Sequence, residues 1–224
     1  MKKTVLIFGI LFLFIAFSSF MGLFPKVDKP DSPDASMIVL QFAIDNKGEL
    51  ESFGNANWSM IIPVVLKEDS SLVPFRVSTG LADMTNFYYK ENLKAGKYTL
   101  TGFMHVYTDY GKLAEYEAKT GSSEIVSKNA YDDKPYRVRQ FFPLEKPVVL
   151  ELRPNIIATL GKYAMKYKYK EGISGSSDDR WKMQEDYTKV VFADPEDQSL
   201  LTYMKPWATK KWKMWNAKNP ANKK

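Results

Sequence analysis

The chain has no cysteine and a single histidine among its 224 residues. Without cysteine there are no disulfides, no thiolate metal sites and no cysteine nucleophile. A lipid-modified N-terminal cysteine is excluded with them. One histidine leaves little room for imidazole chemistry. No phosphate-binding glycine loop, dinucleotide glycine pattern, HExxH pair or serine elbow occurs. Carboxylate-pair hydrolases carry no local motif, so a hydrolase stays open as a lesser reading. No catalytic residue, metal ligand or cofactor is assigned.

A basic body is also lacking. The formal charge is +6, but seven lysines and no acid lie from Lys205 onward. Residues 1–204 therefore carry 25 basic and 26 acidic groups. A nucleic-acid-binding body needs a basic patch of its own, so no nucleic-acid partner is expected.

What is present begins with an export pattern. Lys2 and Lys3 precede fourteen uncharged residues, Thr4–Phe17. A basic start and a short apolar run mark a signal peptide, and Ala16 and Ser18 offer small residues for cleavage after Ser18. The uncharged run continues to Phe24, 21 residues in all. That length spans a bilayer as a helix, so residues 1–24 are a signal peptide or a retained N-terminal anchor. Either places the rest outside a bacterial cytoplasm, in the periplasm or at the cell surface. Residues 25–36, PKVDKPDSPDAS, read as an extended Pro/Asp-rich linker. Proline between Asp28, Asp31 and Asp34 opposes a calcium loop.

Residues 37–204 read as one antiparallel β-sandwich, Ig-like or transthyretin-like, with short peripheral helices near the C-terminus. The organising strand is residues 95–107, AGKYTLTGFMHVY. Strict alternation places Tyr98, Leu100, Gly102, Met104 and Val106 on one face and Phe103, His105 and Tyr107 on the other. His105 is expected to be partly exposed on the sheet. The turn–strand Gly96-Lys-Tyr-Thr-Leu100 is similar to those of prealbumin-like sandwich repeats, over too short a stretch to assign a family. A second regular strand is expected over 156–170, with Lys162, Lys166, Lys168 and Lys170 on a solvated or edge face. Gly161 marks a bulge or bend in it. Residues 60–66 form a strand that Pro63 confines to an edge or a bulge. Residues 136–142 and 148–152 read as separate strands broken by Pro143 and Pro147. The gaps are too short for the helices of βαβ units, which favours antiparallel pairing.

The long 108–135 loop region is where a sandwich would carry binding. Tyr110, Tyr116 and Tyr131, with Trp58, could line a site for a carbohydrate or small ligand, or could anchor the loop. Asn57-Trp58-Ser59 fits a glycosylation acceptor, expected to be unused in a bacterial chain. Residues 205–224 are basic and tryptophan-rich. Trp207, Lys211, Trp212 and Trp215 suit a membrane or anionic surface, or tryptophans that close one end of the sandwich. The expected function is a non-catalytic cell-envelope structural or protein-interaction component. Its partner is an envelope protein or a membrane surface.

Overall fold

The computed structural model describes residues 26–46, 49–51, 59–79, 86–123, 129–166, 189–208 and 212. Trp58, Lys211, Trp215, the 4–24 segment and the lysines at 168 and 170 lie outside this set. In chain order the elements are β1 (Ser36–Asn46), β2 (Glu49–Glu51), β3 (Ser59–Lys67), β4 (Arg76–Thr79), β5 (Asn86–Leu93) and β6 (Gly96–Thr108). There follow α1 (Tyr110–Thr120), β7 (Arg137–Leu152), β8 (Ile157–Lys166), β9 (Lys189–Asp194) and α2 (Ser199–Ala208). The chain is mainly β, with two open sheets. One runs β4-β5-β1-β8-β9 with β2 beside β1, and the other runs β3-β6-β7. Ile38, Phe42 and Leu160 of the first sheet share one buried cluster with Ile61, Leu100 and Phe103 of the second. Across that interface Phe103 meets Phe42 at 4.6 Å and Tyr163 at 5.3 Å between ring centroids.

The organising strand is β6, the centre of the three-stranded sheet. Its alternation is not continuous. Thr101 is an extra residue, since Val64 pairs with Gly102 and Val65 with Leu100. The bulge exchanges the two faces. Tyr98 and Leu100 point into the shared core before it, and Phe103 does so after it. Met104 and Val106 move to the opposite face, where they pack with Met60, Ile62, Ala130 and Tyr131. Gly102 is required by proximity, because a Cβ there would collide with the Phe142 carbonyl.

β8 repeats the device. Val39 pairs with Thr159 and Gln41 with Lys162, so a bulge falls at Leu160–Gly161, and Gly161 sits at φ +89°. Ala158 and Leu160 face the core before it, Tyr163 and Met165 after it.

Several expectations are corrected. The larger sheet is mixed rather than antiparallel, because β1 and β8 run parallel. Short gaps exclude local βαβ crossovers only. Here the connection between the parallel strands includes the whole second sheet. β7 is one strand through Pro143 and Pro147. It lies at a sheet edge, where one side of the backbone needs no ladder bond. Residues 144–147 lie opposite the single residue Thr101, a second irregularity that accommodates the prolines. β8 is an interior strand, and its lysines are paired: Lys162 with Asp197 at 3.0 Å and Lys166 with Asp45 at 3.5 Å. Pro63 does lie in an edge strand, β3.

The helices are short and amphipathic. α1 begins on Asp109, whose side chain accepts from the Lys112 amide, and ends on left-handed Gly121. α2 covers the outer face of the larger sheet, where Leu200, Leu201 and Met204 bury against Met37, Val39 and Phe87. No described helix is long and apolar enough to cross a membrane.

Candidate functional site: the junction of the two chain ends

A polar cluster lies on the outer face of β5. In a strand, residues two apart share a face, so Phe87, Tyr89 and Glu91 project together. Residues 26–35, which composition marks as a spacer, run against this row. The Lys26 amide donates to Tyr89 Oη at 3.0 Å and the Asp28 amide to Glu91 Oε1 at 3.1 Å. The Asp31 amide donates to Asn92 Oδ1, and Asn92 Nδ2 returns a bond to the Lys29 carbonyl, both at 3.1 Å. Val27 of the strap is buried against Met37 and Phe87.

Arg76 locks the arrangement. It faces Tyr89 across the β4–β5 ladder, donates to the Lys26 carbonyl and pairs with both Asp28 and Glu91. Glu91 is 2% exposed, and its Oε1 is met by Arg76 at 3.0 Å and by the Asp28 amide at 3.1 Å. Partial burial works against the Arg76 guanidinium, yet Asp28 and Glu91 outweigh it and hold its pKa above the ordinary value. Burial pushes the Tyr89 phenol up.

The other end of the chain closes on the same point. Trp212 follows α2, donates its backbone N–H to the Ala208 carbonyl and is 2% exposed. Its indole N–H donates to the Asp28 carbonyl at 3.1 Å. Residues 184 apart in sequence thus meet. The sequence reading offered Trp212 either to a membrane or anionic surface or to packing on the domain, and the ring is packed, with its indole against the strap. Trp207 lies in α2, with its side chain outside the described set.

The tyrosines do not converge on one site. Tyr131 accepts the Phe75 amide on its hydroxyl at 3.0 Å and packs on Met60 and Ile62, and burial pushes its phenol far up. Tyr116 meets Tyr136 edge-on at 5.7 Å. Tyr110, at the start of α1, is 41% exposed. Two open hollows lie elsewhere. One, of about 600 Å³, is bounded by Lys67, Asp69, Asn92 and Lys97. The other, of about 420 Å³, lies between Pro147 and Val148 of β7 and Val190 and Val191 of β9.

His105 is fully buried rather than partly exposed, because the parity shift at Thr101 puts it on the same face as Phe103, which points into the core. It stacks on Tyr107 at 5.2 Å. Burial lowers its pKa to about 4, against a hydrogen bond that its ring N–H donates to Gln140 and that favours the charged form. A histidine so placed is neutral near pH 7 and out of reach of substrate. Among the described residues no three His, Asp or Glu side chains are grouped to hold a metal.

Sequence reasoning missed Arg76, Tyr89 and Glu91. The signal was Glu91, an acid on the apolar parity of a strand, which implies a buried cationic partner. No protein-family profile matches the chain, and no curated protein or solved structure matches it.

Proposed function

We propose that the chain is an exported, non-catalytic β-sandwich protein of the bacterial cell envelope, acting as a structural or protein-interaction component. The finer class we assign is an Ig-like or transthyretin-like sandwich. Its support is the way the chain passes between the sheets after β2, β3, β5 and β7, which resembles Greek-key connection.

One observation carries the functional reading. The residues directly after the export-type apolar segment are built into the body through Tyr89, Glu91 and Arg76. A passive spacer needs no such seating. A body that stands at a membrane and presents its opposite face to a partner does.

The test is fractionation of native cells, with the intact mass read in each fraction and cross-linked partners identified. Membrane-fraction or periplasmic protein that cross-links to envelope proteins supports the reading. Cytosolic protein sinks it. Glycan titration separates the carbohydrate-binding alternative, since a sugar seated on Tyr110, Tyr116, Tyr131 and Trp58 quenches aromatic fluorescence while an interaction component does not respond.

A further inference from the structure

An open sheet ends on strands whose outer backbone groups lack a ladder, and most edges of this fold are guarded. β3 carries Pro63, and residues 71–73 run beside it, with the Lys67 amide donating to the Ser71 carbonyl and the Val73 amide to the Val65 carbonyl, both at 2.9 Å. β7 carries Pro143 and Pro147. β4 has four residues, and its Arg76 is tied to the strap. β9 differs. Its six residues, KVVFAD, contain no proline, and among the described residues nothing pairs with its outer side. Val191 there is 39% exposed. Val190 and Ala193 also line the open hollow of about 420 Å³ that separates β9 from β7.

We infer that the occupant of this edge is a second copy of the chain, its β9 running antiparallel to the first about a two-fold axis between positions 191 and 192. The argument is charge and face complementarity. In that register Lys189 of each copy lies opposite Asp194 of the other, and Val190 lies opposite Ala193. Val191 is an extra residue in β9, since Met165 pairs with Val190 and Ala164 with Phe192. Val190 and Ala193 therefore both sit opposite core-facing residues, Met165 and Tyr163. Lys189 and Asp194 sit opposite Lys166 and Lys162, on the outer face. Residues opposite one another across an antiparallel pair share a face, so apolar meets apolar inside and lysine meets aspartate outside. A parallel pairing would set Lys189 against Lys189 and Asp194 against Asp194, which like charge opposes. Lys162 and Lys166 are already paired within the chain, with Asp197 and Asp45. Exposed ion pairs are weak, so the charges choose direction and register. The backbone ladder and the apolar lining, which the second copy continues, supply the attraction. The contact is isologous, as closed two-fold dimers require. It holds in whatever compartment the chain occupies.

The absence of cysteine makes the register readable. Two differently tagged full-length copies are co-expressed, one with Lys189→Cys and the other with Asp194→Cys, and extracts are mildly oxidised and run on a non-reducing gel. Opposite Cα atoms of paired strands lie about 4.5–5.5 Å apart, within disulfide reach. The expected result is a cross-linked species carrying both tags. Lys189→Cys on both copies should give none, because those positions are then roughly 15 Å apart along the strands. Charge reversal is the second readout, by light scattering of the full chain in detergent. Lys189→Glu alone and Asp194→Lys alone, each with the parent's near-ultraviolet circular dichroism, should weaken the dimer about tenfold or more. An equimolar mixture of the two should restore it, since every opposite pair is then of unlike sign. No cross-link between positions 189 and 194, or equal cross-linking of both cysteine pairs, overturns the inference. So does a dimer that both reversals leave intact, which places the self-contact elsewhere, and so does a mixture that stays monomeric. The envelope reading fails separately, by cytosolic location in cells, whatever the oligomeric state.

Discussion

Gly161 holds φ +89° where the chain bulges past Leu40, and a Cβ there would strike the Asp194 carbonyl and Pro195. The conformation alone costs a non-glycine residue about 1–3 kcal/mol, and the collision adds to it. Gly161→Ala should therefore lower the urea midpoint markedly, whereas Gly121→Ala, with open space around it, should lower it only by the conformational part. His105 supplies a pH signature. Its folded pKa of about 4 lies below its ordinary 6.5. Between these values the unfolded chain binds the proton and the folded chain does not, so stability falls as pH is lowered from about 6.5 to about 4. The shift corresponds to a loss on the order of 3 kcal/mol, complete near pH 4. Urea melts at pH 7 and pH 4.5 should show the decline, and His105→Gln should flatten that part of the profile. An unchanged slope in the variant assigns the decline to carboxylates.

At the scale of elements, β6 and the edge position of β3 were legible because alternation and Pro63 are local signals. The face each β6 side chain takes beyond Thr101 was not. A single inserted residue inverts parity, and Gly102, like Gly161, hints at a bulge or a close approach without saying which. The union of residues 137–152 into one β7 was hidden for a related reason, since proline forbids a central strand but not an edge, and edge status is a property of the sheet. The strap was hidden by composition. Its prolines and aspartates describe solvated chain, and only the row Phe87, Tyr89, Glu91 on β5 turns it into structure. The contact of Trp212 with the strap has a measurable consequence. Trp212→Ala should cost about 3–5 kcal/mol if its pocket does not collapse. Amide exchange at Lys26, Asp28 and Asp31 should speed up with it, while amides of the β3–β6–β7 sheet stay protected. Uniform acceleration across both sheets would show that the strap and the core unfold as one unit.

At the scale of the whole molecule, residues 26–31 and Trp212, far apart in sequence, meet on the outer face of the larger sheet. The clustering was visible only in three dimensions, because Asp28 and Trp212 share no pattern that links them. The parallel pairing of β1 with β8 has a further effect. Met37 lies opposite Ile157, 120 positions later. That separation raises the relative contact order, and two-state β domains of high contact order fold in roughly milliseconds to seconds, not microseconds. Refolding by dilution from urea should fall in that slower range, read by tryptophan fluorescence in a stopped-flow instrument. During synthesis or N-terminus-first translocation, the first strand emerges with one edge unfilled until more than half the chain has followed it. For that interval β1 is a nucleation-competent but vacant template, and holding chaperones would find their substrate there.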